Sequence, residues 1–207
     1  MIISRLINRF KKFYNLIGGG DIIKNIGVLK RVQNIEIYGY GNNIEIKCNF
    51  SKSVKIMIRG NNNRLTIEEN VEYSKGLIWF EDNYGEIFID KNTTIGDANL
   101  SVAENGRKII IGADCMFSKG INISTTDSHS IINLKTGERT NQAQDVVIGE
   151  HVWLGRNVTI NKGVKVGSNS IVAGNSVLTK SIPSNCIAAG VPASVVKSSV
   201  DWLRQRI

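Results

Sequence analysis

The chain has 207 residues, 42% of them hydrophobic, 21% charged and 7% aromatic, which suits one soluble domain with a real core and excludes a disordered or collagen-like polymer. No apolar run approaches the roughly 18 residues needed to cross a bilayer, and the first residues lack a signal-peptide pattern, so the expected location is the cytoplasm. The formal charge of +8 is confined to the ends: residues 1–31 carry seven basic groups and one acid, residues 197–207 three and one, and residues 32–196 sixteen of each. A nucleic-acid binder would need basic residues clustered with stacking aromatics, and the neutral body shows no such cluster along the sequence.

Residues 1–31 begin with Ile3, Leu6, Ile7, Phe10, Phe13, Tyr14 and Ile17 at helical spacing among Arg5, Arg9, Lys11 and Lys12, which predicts an amphipathic N-terminal helix followed by a linker. Two roles fit it: a cap on the first element of the body, or peripheral contact of residues 1–17 with an anionic membrane surface.

From residue 32 to 196 the sequence is periodic. Ile44-Glu-Ile46, Leu65-Thr-Ile67, Ile87-Phe-Ile89 and Ile109-Ile-Ile111 recur every 21 to 22 residues. Turn-forming residues precede each: Gly41-Asn42-Asn43, Asn61-Asn62-Asn63, Asn83-Tyr84-Gly85 and Asn105-Gly106. Further on the period tightens to six, with Ile148, Leu154, Ile160, Val166 and Val172 in the aliphatic position and Val152, Val158, Val164, Ser170 and Ser176 in the smaller fifth one. A period of six is neither helical nor a simple alternating strand. It suits short strands joined by tight corners, three hexads to a coil, stacked as a parallel β-helix. Cys115 and Cys186 fall on inward phases; with Cys48 they make three widely separated thiols, too few and too scattered for a disulfide framework or zinc cluster. Residues 127–146 break the period and form an external loop, and residues 198–206 suggest a short C-terminal helix.

The hexads, the loop holding Thr125-Thr126-Asp127-Ser128-His129-Ser130, and the run Gly174-Asn175-Ser176-Val177-Leu178-Thr179-Lys180 with Gly190-Val191-Pro192-Ala193 together resemble the hexapeptide-repeat acyltransferases. Within that family the chain is most similar to the capsule and surface-polysaccharide O-acetyltransferases and the galactoside- and maltose-type sugar O-acetyltransferases. The resemblance implies an all-β fold, a left-handed parallel β-helix to which the short terminal helices are added, in a homotrimer with active sites between subunits. It also implies acetyl-CoA as co-substrate and a carbohydrate acceptor, and with no basic-aromatic cluster in the repeats no nucleic acid is expected as a partner.

By the same resemblance His129 is the general base, since a neutral imidazole can take the proton of a sugar hydroxyl attacking a thioester. Either Asp127 or a backbone carbonyl orients its ring. Trp153, outward in its hexad, lines the acceptor and thioester site, and the Arg156 backbone N–H is the oxyanion donor. Gly155, Ala173, Gly174, Ser176, Thr179, Lys180 and Pro192 are the expected acetyl-CoA contacts, Lys180 meeting phosphate as a point charge. Asn99 reads as an acceptor contact or a turn residue. Two histidines, His129 and His151, are too few for the three-histidine zinc site of β-helical carbonic anhydrases, so no metal is expected, and His151 reads as structural. The expected reaction is O-acetyl transfer to a capsule, lipopolysaccharide or other surface polysaccharide; the alternative is N-acetylation of a nucleotide-linked amino sugar.

Overall fold

The structure, a computed structural model, describes residues 22–24, 35–48 and 50–207; the expected N-terminal helix lies outside them. The alternation of aliphatic and polar residues within each repeat puts one side of every strand inward, and the pairing of the repeats builds three parallel faces. On the first face β1 (Ile22–Lys24), β3 (Asn43–Ile46), β5 (Arg64–Ile67), β7 (Glu86–Ile89), β10 (Lys108–Ile111), β13 (Val146–Ile148) and β16 (Lys165–Val166) stand side by side. The β1 strand pairs with residues 43–45, so this face begins ahead of residue 32.

The third face holds β2 (Ile35–Tyr38), β4 (Phe50–Arg59), the later part of β6 (Glu72–Glu81), β9 (Ala98–Val102), β12 (Ile121–Ser124), β15 (Thr159–Ile160) and β18 (Val177–Leu178). Between these faces lies the second: the start of β6, then β8 (Thr94–Ile95), β11 (Met116–Phe117), β14 (Trp153–Leu154), β17 (Ile171–Val172) and β19 (Cys186–Gly190). The β6 strand crosses from the second face to the third at Gly76, where φ is 140° and an added Cβ would lie 1.7 Å from the Ala98 carbonyl oxygen, so no other residue fits.

The repeats set the register. Ile44, Leu65, Ile87, Ile109 and Val146 are successive partners on the first face, and Ile56, Ile78, Leu100, Ile123, Ile160 and Leu178 run down the third; all are buried. Each coil therefore contributes one aliphatic residue per column, and the columns fuse into one continuous core. Cys48, Cys115 and Cys186 are buried fillers, and burial pushes the Cys48 and Cys115 thiols up to about 12.

Corners are held by asparagine ladders. Asn42 Oδ1 accepts from the Asn63 N–H at 2.9 Å and Asn63 Oδ1 from the Gly85 N–H at 2.7 Å, one rung per coil. At the first-to-second corner the left-handed position is filled by Asn70, Asn92, Asp114, His151, Asn169 and Asn185 in turn, which explains His151 as a corner residue.

The C-terminal end corrects an expectation. No helix occurs among the described residues: β20 (Ala193–Ser198) pairs antiparallel with β19, Ser199 turns at φ 57°, and the rest folds back along the coil wall. A nine-residue helix is marginal by itself, whereas here Trp202 and Arg204 find partners on the coils. Trp202 stacks on His151 with centroids 4.1 Å apart and donates its Nε1–H to the His151 carbonyl at 2.8 Å. Arg204 reaches Asp114 Oδ1, Thr94 Oγ1 and the Cys115 carbonyl, each at 3.0 Å.

Candidate active site

Where β12 ends at Ser124 the chain leaves the third face and does not rejoin the first until Val146, and this excursion carries His129. Its root is anchored in the core by Thr125, which is buried and donates to the Ser101 carbonyl through its N–H and to the Ala103 carbonyl through Oγ1. Ser128 is left-handed at φ 67°, and the His129 N–H closes on the Asp127 carbonyl at 2.8 Å, which turns the imidazole out to solvent.

Sequence reasoning missed the residues that hold this turn. Asn141, 8% exposed, donates Nδ2–H to both Asp127 Oδ2 and the His129 carbonyl at 2.8 Å, and its Oδ1 accepts from the Ile131 N–H at 2.7 Å. Arg139 donates to both oxygens of Glu104 on the previous coil, and Glu104 also accepts from Thr126 Oγ1 at 3.0 Å and the Ala143 N–H at 3.3 Å. From the following coil Lys162 Nζ donates to Asp127 Oδ2 and, at 2.8 Å, to the Asn141 carbonyl. The Arg139 bond, opposed by burial, holds the Glu104 carboxyl below its ordinary range; Lys162 and then Asn141 do so for Asp127. Asp127 thus spends Oδ2 on the loop scaffold, and among the described residues it makes no hydrogen bond to the His129 ring.

Trp153, Gly155, Arg156, Ala173 and Gly174 form a second group at the second-to-third corner, the opposite edge of the third face. Trp153 projects from the second face between Met116 and Ile171, 38% exposed, and its ring lies 6.0 Å from that of Trp202. The chain then turns at Gly155-Arg156, where a Cβ on Gly155 would lie 2.6 Å from the Gly174 nitrogen, so the close approach of the two corners requires glycine at 155. Among the described residues the N–H groups of Arg156 and Gly174 have no acceptor, although the Arg156 carbonyl takes the Asn175 N–H at 2.7 Å. Gly174, Thr179 and Lys180 are exposed and Ala173 is partly so, and Pro192 follows a cis peptide in the β19–β20 turn. Ser176 is buried, its Oγ accepting from the Gly190 N–H at 3.1 Å, so only its backbone faces the wall. Thr179 and Lys180 sit at the third-to-first corner, in the column of the His129 loop.

Asn99 joins the two groups. It stands outward on β9 with Leu77, Asn122, Thr159 and Val177 in one row of the third face and donates Nδ2–H to Asn122 Oδ1 at 3.0 Å. A single subunit therefore places His129 and Trp153 at different edges of the prism.

His151 lies off this surface. Its Nδ1 is 2.6 Å from Asp114 Oδ2 and its Nε2 3.0 Å from the Trp202 carbonyl. Burial would lower its pKa, but the Trp202 carbonyl and the Asp114 carboxylate outweigh burial and raise it.

Comparison with known proteins agrees with the coil geometry. Residues 145–180 match the bacterial transferase hexapeptide (six repeats) model. The chain is 41% identical over 129 residues, 62% of its length, to the polysialic acid O-acetyltransferase of Neisseria meningitidis, and 36% identical over 119 residues to that of Escherichia coli O1:K1. These sequence matches span 59% and 38% of the two relatives. The crystal structure of the polysialic acid O-acetyltransferase OatWY superposes with a TM-score of 0.77 at 35% identity, covering 92% of this chain and 87% of that one; the polySia-specific acetyltransferase NeuO gives 0.68 at 32%, covering 83% and 90%. The chain belongs to the hexapeptide-repeat acyltransferase family and has its left-handed parallel β-helix.

Proposed function

We propose that this chain is an acetyl-CoA-dependent O-acetyltransferase that acts on a hydroxyl of an acidic surface polysaccharide of the polysialic acid kind. The observation that carries the reading is His129, presented to solvent by a loop that Asn141, Arg139, Glu104 and Lys162 tie to the coils before and after it. A base set this rigidly can meet a bound hydroxyl without reorganisation. The similarity to polysialic acid O-acetyltransferases supports the acceptor class.

The acceptor hydroxyl oxygen attacks the thioester carbonyl while the His129 imidazole takes its proton. The oxyanion that forms meets the Arg156 N–H, which has no acceptor among the described residues. Collapse breaks the carbon–sulfur bond, and the imidazolium returns its proton to the departing CoA thiolate. Pantetheine lies over Ala173 and Gly174, where small residues leave room and the Gly174 N–H, without an acceptor among the described residues, offers a donor, and the diphosphate end meets Thr179 and Lys180. Asp127 acts as a positioning residue for the loop. Because one subunit separates His129 from Trp153, the complete site is built in a homotrimer from the loop edge of one subunit and the Trp153–Gly174 edge of the next; the exposed Ile131, Ile132 and Leu134 of the loop are placed to reach that neighbour.

Replacement of His129 by Ala is expected to leave the melting temperature and calorimetric CoA binding unchanged and to lower acetyl transfer to polysialic acid by roughly 10²–10⁴-fold. Transfer within a few-fold of the unaltered protein would overturn the assignment.

A further inference from the structure

The early coils carry a basic-aromatic group that the site above does not use. Tyr38, Arg59 and Glu81 are cross-strand neighbours on β2, β4 and β6, with Trp79 two residues before Glu81. The Arg59 guanidinium lies 5.8 Å from the Tyr38 ring centroid and 5.3 Å from that of Trp79. Tyr38 is 53% exposed, and Tyr40 and Tyr84 stand exposed at the adjoining corners. Most cations on these coils are paired: Lys55 with Glu36, Lys47 with Glu68, Lys75 with Asp97 and Lys108 with Glu86. Among the described residues Arg59 pairs with no carboxylate, not even Glu81 beside it; two aromatic rings hold it and leave its donors outward.

The group is continuous with the site. Met57, which is buried, and the partly exposed Trp79 and Ser101 are successive partners in one row of the third face, and the next is Ser124, the residue from which the His129 loop departs. At about 4.8 Å per strand, Trp79 stands roughly 10 Å, Arg59 roughly 14 Å and Tyr38 roughly 19 Å from the loop root. That row is a track along the coil axis, too long for one sugar and suited to a chain of them.

We infer that Tyr38, Arg59 and Trp79 form a remote subsite for an acidic polysaccharide, gripping acceptor residues several sugars away from the hydroxyl that is acetylated. The aromatic faces take the apolar faces of sugar rings, and the guanidinium, planar and with paired donors, takes a ring carboxylate. The inference rests on the proposed acceptor class and adds where on the chain the polymer is held.

The test compares the unaltered protein with the double variant Arg59→Gln, Tyr38→Ala, using polysialic acid polymer and a sialic acid dimer as acceptors at two salt concentrations. The expected result is a KM for the polymer raised roughly tenfold, a weaker salt dependence of that KM, and unchanged kcat, dimer kinetics and oligomeric mass. Equal effects on polymer and dimer, no effect on either, or a change of oligomeric mass, which would make the group a subunit contact, would overturn the subsite. So would Arg59-dependent binding of a single-stranded oligonucleotide as tight as that of the polymer. Failure of the unaltered protein to acetylate either acceptor would instead overturn the acceptor class itself, and the subsite with it.

Discussion

The early and late coils solve the same packing problem with different amounts of chain. Between Ile44 and Ile109 each first-face column advances 21 or 22 residues per coil; from Ile148 to Val166 it advances 18. The late coils are three hexads with nothing to spare, and β14, β15, β17 and β18 on their second and third faces are two residues long. The early coils spend the difference on ten-residue strands that turn a corner, on asparagine ladders, and on outward aromatic residues. The lesson is a division of labour: invariant spacing brings backbone groups and glycines into line from coil to coil, whereas spare residues give a surface individuality; under the proposed function the first suits the pantetheine arm and the second the acceptor.

The comparison is broken most directly in the core. Ile78 on an early coil and Ile160 on a late one occupy the same third-face column, both fully buried. Each Ile→Ala replacement is expected to cost about 2–5 kcal/mol by chemical denaturation, with Ile160→Ala toward the upper end because a coil without spare residues collapses less around the cavity. Equal costs would mean that spare length gives the early coils no freedom to relax.

The boundary between the two regions is the loop, and Asn141 is its keystone. Asn141→Ala removes the donor shared by Asp127 Oδ2 and the His129 carbonyl and the acceptor of the Ile131 N–H. A misplaced base is expected to lower kcat roughly a hundredfold while KM for acetyl-CoA, read on the late coils, stays constant. A rise in that KM with constant kcat would show that the loop belongs functionally to the late coils.

Local patterns were readable in advance because each is written within one repeat: the aliphatic columns, the turn residues, the break at 127–146 and the inward cysteines. Contacts between coils were not. Glu104 and Arg139 are 35 residues apart, as are Asp127 and Lys162, and nothing in either hexad marks a partner across an excursion of that length. The same holds for Arg59 between Tyr38 and Trp79, a cluster that exists only after three strands 20 or 21 residues apart are laid side by side. The spacing of the C-terminal segment suggests a helix, and contacts of Trp202 and Arg204 with a coil wall distant in sequence override it.

That wall supplies the smallest effect, a pH dependence confined to the late coils. The tail that buries Trp202 beside Trp153 is held through His151, whose folded pKa is raised, and through Asp114, where burial, which would raise the carboxyl, is outweighed by bonds from His151 and Arg204 that lower it. A raised histidine stabilises docking fully below its unfolded pKa and loses that contribution as pH rises through the folded value; a depressed carboxylate contributes above its unfolded pKa and loses it as pH falls through the folded one. Docking is therefore tightest between about pH 4 and about pH 6.5 and loosens on either side. In a Trp79→Phe background the remaining tryptophans are Trp153 and Trp202, so their emission should shift to the red above that window. His151→Asn keeps a residue that tolerates the corner's φ of 52° and removes the titration, and the alkaline step should vanish while the acid one persists. An alkaline step of unchanged size in that variant would place the control of the tail elsewhere than in the His151 ring.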